Sequence, residues 1–233
     1  MDKITAIVCN YNHEDYLFDS LVSLINQDYE NLEIILIDDA SKVYPLHIID
    51  QVSRMGRKIE AFQMKENRGK WFCLNHAILK RLDTKWFMVH DADDIAYPWK
   101  ASLQLRETKM SGSLLNLAGY DELDGIPFAP DLAKVESITH PITAQAALDS
   151  IECKNTWHYN THPFKLHNGA ILFHRKIFDY GIRFNPPQQF LRVALSEDSD
   201  FNIRATLAFR KTCWTPVVCY GYRQGTSTNQ ESF

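Results

Sequence analysis

The chain has 233 residues and a formal net charge of −4, with 45% hydrophobic and 23% charged residues. This apolar content excludes an intrinsically disordered chain, and the length suits one or two domains that fold without disulfides or a structural metal. No block of Lys and Arg is long enough to indicate a nucleic-acid partner. No apolar run is long enough to span a bilayer, so a transmembrane segment is not expected.

The five cysteines are odd in number and contain no pair with CxxC spacing; they are Cys9, Cys73, Cys153, Cys213 and Cys219. This pattern predicts reduced thiols in a cytosol-like compartment and not a disulfide framework. The N-terminal residues lack the charged and apolar regions of a signal peptide. We therefore predict a cytoplasmic protein, and peripheral association with a membrane surface stays open.

Apolar strand-like runs alternate with segments of helical periodicity through the first half of the chain. The predicted strands cover residues 4–9, 32–37, 58–64, 85–90 and 114–118, and the predicted helices cover residues 14–27, 46–54, 69–82 and 98–109. Pro98 is expected at the first position of its helix. The order predicts an α/β fold in which helices cover both faces of a mostly parallel central sheet.

The second half of the chain is less regular. We predict loops with short strands over residues 125–139, a short helix over 141–150, and no clear periodicity over 151–166. A strand over 168–174, a helix over 196–209 and a strand over 212–222 follow. Because no repeat or linker interrupts the sequence, we predict one domain over residues 1–233, with a regular half to residue 118 and an irregular half from residue 119.

Polar residues follow the predicted strands at Asn10, Asp38 and Asp91. Ligands of open α/β sheets bind beyond the carboxyl ends of the strands, so this edge is the predicted site. Asp91, Asp93 and Asp94 lie within four residues and repel one another unless a cation is bound. Their hard oxygen ligands suit Mg²⁺ or Mn²⁺, although an exposed turn rich in Asp explains this motif alone equally well.

Five segments, in order and over residues 4 to about 225, together resemble glycosyltransferase family 2, whose members have the Rossmann-like GT-A fold. They are the first strand and its loop with Tyr11, Asn12 and Glu14, the pair Asp38-Asp39, the stretch from Asn67 to Asn75, the run Asp91-Ala92-Asp93-Asp94, and the late pair Glu197-Asp198. Cys9 and Asn10 stand where the family usually has Pro and Thr. Gln224 stands where it often has His, so no His metal ligand is expected there.

The resemblance implies inverting transfer of a sugar from a nucleotide-diphospho-sugar, with UDP favoured, to a hydroxyl of a glycan or lipid-linked glycan. Residues 1–118 would form the nucleotide-sugar-binding half, and residues 119–233 would bind the acceptor and carry the catalytic base. Asp198 is the expected base, with Glu197 orienting it or the acceptor. A divalent metal is expected chiefly on Asp93, with Asp91. The implied donor-binding residues are Cys9, Asn10, Tyr11, Asn12, Glu14, Asp38, Asp39, Asn67, Lys70, Asn75, Asp91, Ala92 and Asp93.

Other interpretations stay open at this point. Asp38-Asp39 fits a turn that caps the next helix, and Glu197 and Asp198 after Ser196 fit a capped helix start whose dipole favours acidic residues. Asp91 and Asp93 also match the Asp-x-Asp motif of haloacid-dehalogenase-like phosphatases, although that motif usually follows the first strand. An inactive sugar-nucleotide-binding module is the non-enzymatic alternative.

Overall fold

The computed structural model describes residues 1–124, 166–190 and 193–226. The strands are β1 Ile4–Asn10, β2 Leu32–Asp38, β3 Ile59–Gln63, β4 Trp86–Asp91, β5 Ile95–Ala96, β6 Leu115–Leu123, β7 Leu166–His174, β8 Gln188–Phe190, β9 Val193–Leu195 and β10 Thr212–Arg223. The helices are α1 Glu14–Ile25, α2 Leu46–Ser53, α3 Lys70–Lys80, α4 Lys100–Ser111, α5 Arg175–Asp179 and α6 Glu197–Phe209.

Eight of these strands form one sheet in the order β3-β2-β1-β4-β7-β6-β10-β5. The first four are parallel to one another, and β6 is parallel to β10. Strand β7 runs antiparallel between β4 and β6, and short β5 is antiparallel to β10. Strands β8 and β9 form a separate antiparallel pair. The regular half of the chain thus supplies the parallel side of the sheet, and β7 joins it to the rest.

Helices cover both faces of the sheet, as the alternation of β2 illustrates. Ile34 and Leu36 face one core, which is completed by α1, α2 and α4, whereas Ile35 and Ile37 face a second core completed by α3, α5 and α6. Side chains of successive strand residues point to opposite faces, so a continuous apolar run is what a doubly covered strand requires. The predicted α/β architecture is confirmed.

The structure corrects the start of α4. Pro98 is not the first helical residue, because α4 begins at Lys100 after Trp99. The Pro98 carbonyl accepts a hydrogen bond from the Asp28 backbone N–H at 2.8 Å, and the Tyr97 backbone N–H donates to the Cys219 carbonyl at 3.0 Å. These tertiary hydrogen bonds hold Tyr97 and Pro98 in place, and the chain turns at Pro98 and Trp99 before the helix begins. Strand β6 also extends beyond the predicted end at residue 118 to Leu123.

Several elements were not predicted, and some predictions lie outside the described residues. Strands β5, β8 and β9 and helix α5 are too short for periodicity to reveal. Some predictions cannot be compared with the structure because their residues are not described. These are the predictions for residues 125–139, for residues 141–150, and for residues 151–166 up to residue 165. Ser196 caps α6 as predicted, since its hydroxyl accepts a hydrogen bond from the Ser199 backbone N–H at 3.2 Å.

The four described cysteines, Cys9, Cys73, Cys213 and Cys219, are free thiols, of which Cys73 and Cys219 are buried. Among the helices in the described parts of the chain, none is both long and apolar enough to cross a membrane.

An aromatic stack fastens helix α6 to the sheet. The Phe201 ring lies parallel to the Phe184 ring with centroids 4.1 Å apart, and edge-on to the Phe173 ring of β7 at 5.0 Å. Phe201 is fully buried. Because Phe201 is one turn after the start of α6, this stack determines where the N-terminal residues of that helix lie relative to the sheet.

We expect Phe201→Ala to lower the free energy of unfolding by about 3–5 kcal/mol, since it leaves a cavity and removes two ring contacts. Leu207→Ala on the same helix is the matched control, because Leu207 is 72% exposed, and should cost about 0.5 kcal/mol or less. Urea denaturation followed by circular dichroism measures both. Equal losses in the two variants would contradict the assigned packing.

Candidate active site

The carboxyl ends of three neighbouring parallel strands meet at one edge of the sheet. In the register of β1 with its neighbours, Asn10 lies beside Asp38 of β2 and Cys9 lies beside Asp91 of β4. The polar residues at the ends of these strands, Asn10, Asp38 and Asp91, therefore lie at one edge of the sheet. This convergence follows from parallel pairing, which brings the ends of chain-distant strands together.

Both oxygens of the Asp38 carboxylate accept hydrogen bonds from neighbouring residues. It is fully buried, and Oδ1 accepts hydrogen bonds from Asn10 Nδ2 at 2.7 Å and Ser41 Oγ at 2.6 Å. Its Oδ2 accepts from the Ser41 backbone N–H at 3.1 Å. Ser41 Oγ in turn accepts from the Asn12 backbone N–H at 2.9 Å. Asp38 and Asn10 thus hold the loops after β1 and β2 against each other.

The Asp39 carboxylate organises the turn before α3. Its Oδ1 accepts from the Arg68 backbone N–H at 2.9 Å and its Oδ2 from the Gly69 backbone N–H at 2.7 Å. Gly69 has a φ of +86°, a conformation that favours glycine. The alternative in which Asp38-Asp39 caps the next helix is wrong, because α2 begins at Leu46 after Pro45. Asp39 instead directs the chain so that α3 starts at the strand ends.

Lys70, the first residue of α3, lies among three carboxylates. Its Nζ is 2.5 Å from Asp91 Oδ1, 2.8 Å from Asp198 Oδ2 and 3.8 Å from Glu197 Oε1. Glu197 and Asp198 are the first two residues of α6, a helix that follows Lys70 by more than a hundred residues. The two acidic motifs that the sequence singled out are therefore joined through one ammonium group.

This arrangement separates the proton affinities of the carboxylates. Burial acts to raise the pKa of Asp91, but the adjacent Lys70 outweighs it and holds that pKa at about 2. Burial raises the pKa of Asp198 to about 7, because the opposing effect of Lys70 is reduced by Glu197 and Asp91. Burial alone would lower the pKa of Lys70, yet the three carboxylates raise it well above its ordinary value. Lys70 is therefore charged, Asp91 is ionised, and Asp198 exchanges its proton near neutral pH.

One oxygen of Asp198 has no hydrogen-bond partner in the described parts of the chain. Oδ2 is bound by Lys70, whereas Oδ1 is buried and unpaired there. Buried polar atoms in native proteins nearly always have a partner. Asp198 Oδ1 therefore has capacity for a hydrogen bond from a group outside the described residues.

The acidic turn, residues 91–94, presents Asp93 at the edge of the site. Asp93 is half-buried, and its Oδ2 accepts from Thr226 Oγ1 at 2.5 Å. Asp94 is buried instead, and its Oδ1 accepts from the Arg223 backbone N–H at 2.8 Å. Burial raises the pKa of Asp94 well above its ordinary value, and Asp93 and Asp91 add to the effect. Ala92, the second residue of the turn, is also buried.

The remaining predicted residues lie in the surrounding loops or nearby in α3. Asn12 has a φ of +56°, and its Oδ1 accepts from the Lys42 backbone N–H at 2.8 Å. Tyr11 and Glu14 are half-buried beside it, and Asn67 is exposed before the Gly69 turn. Asn75 uses both ends of its amide to bind the Phe184 backbone, at 2.8 and 3.0 Å, so it ties α3 to the chain before β8.

Strands β7 and β10 complete the surroundings of Asp91, and the sequence did not identify them as part of the site. Tyr220 Oη is 3.4 Å from Asp91 Oδ2, and a Cβ atom on Gly169 would lie 2.9 Å from that oxygen. The His167 ring stacks on the Tyr220 ring, with centroids 5.1 Å apart. A glycine within a predicted strand was the available signal, since such glycines mark a close approach.

The oxygen ligands fit a divalent metal only when substrate completes the coordination. In the described residues, no three side chains of His, Cys, Asp or Glu are grouped as metal ligands. Both Asp91 oxygens already face Lys70 or Tyr220, which leaves Asp93 as the accessible carboxylate. Mg²⁺ and similar ions are typically held by one or two carboxylates together with substrate phosphates. The donor set is therefore compatible with a metal that binds together with a phosphorylated ligand.

The N-terminal part of the chain is similar to a known family. Residues 5–109 match the family model described as Glycosyl transferase family 2. This segment is similar to members of that family. An uncharacterized glycosyltransferase of Haemophilus influenzae is 42% identical over 95 residues, which cover 41% of this chain and 29% of that protein. Glycosyltransferase GlyA of Streptococcus pneumoniae is 36% identical over 93 residues, 40% of this chain and 13% of its own length. The matched residues thus span well under two thirds of the length of each of these relatives.

Solved structures are similar to this chain over nearly its whole length, and not only over residues 5–109. S. aureus TarS 1-349 in complex with UDP-GlcNAc superposes with a TM-score of 0.69 at 18% identity, covering 99% of this chain and 61% of that one. The mannosyltransferase PcManGT from Pyrobaculum calidifontis, in complex with GDP-Man and Mn²⁺, gives a TM-score of 0.65 at 17% identity, with 98% and 58% coverage. The predicted GT-A fold is confirmed.

We expect Asp198→Asn to gain stability relative to the wild type as the pH rises from about 4 to about 7. An unfolded Asp loses its proton near pH 3.8, whereas folded Asp198 keeps its proton up to about pH 7. The folded wild type therefore binds more protons in this window, and its free energy of unfolding falls as the pH rises. Asn does not titrate, so the variant lacks this loss.

Urea titrations of the two proteins across this pH window measure the difference. The difference in the free energy of unfolding should grow toward pH 7 and stay level above it. A difference that is independent of pH would show that the Asp198 carboxyl titrates like an exposed one.

Proposed function

We propose that this chain transfers a sugar from a nucleotide-diphospho-sugar to an acceptor hydroxyl, with inversion at the anomeric carbon. UDP is the favoured nucleotide, and the acceptor is a hydroxyl of a glycan or lipid-linked glycan. The observation that carries the proposal is the buried Asp198 carboxylate, held by Lys70 through Oδ2 while Oδ1 lacks a hydrogen-bond partner among the described residues.

Asp198 is suited to act as the general base. A sugar hydroxyl is a poor nucleophile until its proton is removed, and a base is most effective when its pKa lies near the working pH. Burial raises the pKa of Asp198 to about 7. In the proposed step Oδ1 accepts the proton of the acceptor hydroxyl as that oxygen attacks the anomeric carbon from the side opposite the leaving diphosphate. Glu197 lies beside Asp198 and orients it or the acceptor.

The leaving nucleoside diphosphate gains negative charge as its bond to the sugar breaks. Asp93 would hold a divalent metal, Mn²⁺ or Mg²⁺, which when bound stabilises charge on the diphosphate. Lys70 supplies a second positive charge at the same edge of the sheet, since its Nζ lies 2.5 Å from Asp91 Oδ1. We assign Asp91 chiefly to holding Lys70 and to contacts with the ribose or with metal-bound water.

The nucleoside pocket in this proposal lies beside β1 and β2. Cys9, Asn10, Tyr11, Asn12 and Glu14 form its β1 side. Asp39 is the first choice for contact with the nucleoside: each of its oxygens accepts one backbone hydrogen bond and keeps capacity for another. Asp38 is the second choice, because it is fully buried and already accepts three hydrogen bonds. Asn67 and Asn75 flank Lys70 along the chain.

The comparisons support the donor class. The N-terminal segment matches a glycosyltransferase family, and structures of similar fold contain UDP-GlcNAc in one case and GDP-Man with Mn²⁺ in another. We extend these ligand classes to this chain because the acidic turn and Lys70 combine metal-ligand and phosphate-binding chemistry at the strand ends.

A phosphatase acting through an aspartyl-phosphate at Asp91 is less well supported. Such an enzyme needs an accessible carboxylate oxygen, yet Asp91 Oδ1 is paired with Lys70 and Oδ2 faces Tyr220 and Gly169. Trapping a phosphorylated Asp91 would favour this alternative over sugar transfer.

We expect Asp198→Asn to lower the rate of sugar transfer by about 10²- to 10⁴-fold, the usual contribution of a general base, while donor affinity stays near that of the wild type. Calorimetric titration with UDP-, GDP- and dTDP-sugars in Mn²⁺ measures donor binding, and release of the nucleoside diphosphate measures turnover. Lost donor affinity with normal turnover would contradict the role of Asp198.

We expect Asp93→Ala to reduce donor affinity in Mn²⁺ to the level that the wild type has in EDTA, because the metal-dependent part of binding is lost. Asp83→Ala is the control: it removes an equivalent charge just before β4 begins, where the Asp83 side chain is 67% exposed. Wild-type transfer that continues undiminished in excess chelator would contradict the metal assignment.

A further inference from the structure

The end of strand β10 makes several contacts with the acidic turn. We propose that Arg223 and Thr226 are positioning residues, which hold the Asp93 carboxylate in the orientation that binds a divalent cation together with the donor diphosphate. The inference rests on the proposed function, since it concerns the metal ligand of that same site. It adds a part of the chain that lies outside the segment matched by the family model, residues 5–109.

Arg223 holds the backbone of the turn. Its guanidinium is fully buried, and Nη1 donates to the Asp93 carbonyl at 2.9 Å. Its Nη2 pairs with Asp19 Oδ2 of α1 at 2.7 Å, and neither of those two side chains is exposed. Its backbone N–H donates to Asp94 Oδ1 at 2.8 Å. Arg223 therefore binds both the carbonyl of Asp93 and the carboxylate of Asp94.

Thr226 holds the side chain that the turn presents. Its Oγ1 donates to Asp93 Oδ2 at 2.5 Å, and the Arg223 carbonyl lies farther from the hydroxyl, at 3.3 Å. Gly225, with a φ of +76°, allows the chain to reverse so that Thr226 reaches the turn. Binding of one oxygen by Thr226 fixes the rotation of the carboxylate and directs the other oxygen.

Gln224 does not take part in this contact. Its Nε2 donates to Glu122 Oε2 at 2.7 Å, so the side chain is bound to β6. Among the described residues after β10, which end at Thr226, the side chain of Thr226 contacts Asp93. Groups that hydrogen-bond to a metal ligand typically change metal affinity by 10- to 100-fold when they are removed. The Thr226 hydroxyl, which bonds to the proposed metal ligand Asp93, is therefore expected to change the metal affinity in this way.

The test compares Thr226→Val, which keeps the side-chain shape and removes the hydroxyl, with Thr226→Ser, which restores it. Mn²⁺ affinity in the presence of saturating UDP is measured from the electron paramagnetic resonance signal of free Mn²⁺. UDP affinity in EDTA is measured separately by calorimetry. Thr206→Val is the matched control, because the Thr206 hydroxyl bonds to Thr212 Oγ1 at 2.8 Å, near the C-terminal end of α6.

We expect Thr226→Val to weaken Mn²⁺ binding by about tenfold, and Thr226→Ser and Thr206→Val to bind Mn²⁺ as the wild type does. UDP affinity in EDTA should be equal in all four proteins, since a positioning effect on Asp93 acts only through the metal. Arg223→Lys keeps a positive charge for Asp19 but lacks the planar fork, and should weaken Mn²⁺ binding further.

Two results would overturn the inference, and they are distinguishable. Equal Mn²⁺ affinity in Thr226→Val and the wild type would remove the role of Thr226 and leave the proposed function intact. A wild type that binds UDP no better with Mn²⁺ than in EDTA would remove the metal assignment itself, and the inference with it.

Discussion

The site depends on one ammonium group among three carboxylates. Lys70 Nζ contacts Asp91 and Asp198 within 2.8 Å and lies 3.8 Å from Glu197. Removing one partner from a buried ion pair typically costs several kcal/mol because the other charge is left uncompensated. Because these charges must stay paired, the start of α3 is held close to the end of β4 and the start of α6. The stack of Phe201 on Phe184 and the Asp39-bound turn before Lys70 are what hold these elements in reach of one another.

A single cation cannot neutralise three anions equally, and the imbalance is useful. Asp91 takes the closest contact and stays ionised, whereas burial and its acidic neighbours raise the pKa of Asp198 to about 7. Environments that push the pKa values of nearby carboxyl groups apart are how enzymes assign different roles to the same residue type. The proposed division, with Asp91 as an anchor and Asp198 as a base, follows from this electrostatic asymmetry.

The acidic turn is stabilised from the other end of the chain. Arg223, paired with Asp19, and Thr226 bind its backbone and Asp93. Strand β7 brings Gly169 against Asp91, where a side chain would collide with the carboxylate. The segment that matches the family 2 model therefore carries the acidic turn and Lys70. Strands β7 and β10 and helix α6 supply the groups that orient them, together with the candidate base.

Local pattern determined much of this protein. Apolar runs such as Leu32 to Ile37 predict strands buried on both faces, helical periodicity predicts α1 to α4, and polar residues at the strand ends predict the edge that carries the site. Ser196 predicts the start of α6, since a capping hydroxyl acts within a few residues. These features depend on backbone geometry and side-chain period, which a sequence displays directly.

Only the tertiary structure decided which of these residues meet. Nothing local indicates that Lys70 reaches Asp198, that Thr226 reaches Asp93, or that Asp39 binds the turn before α3 instead of capping α2. Pro98 illustrates the same limit, because its carbonyl accepts a hydrogen bond from Asp28 and the neighbouring Tyr97 N–H donates to Cys219. These contacts override the local preference of Pro98 for a helix start. Such contacts join residues that are far apart in the chain, and they exist only once the sheet has ordered its strands.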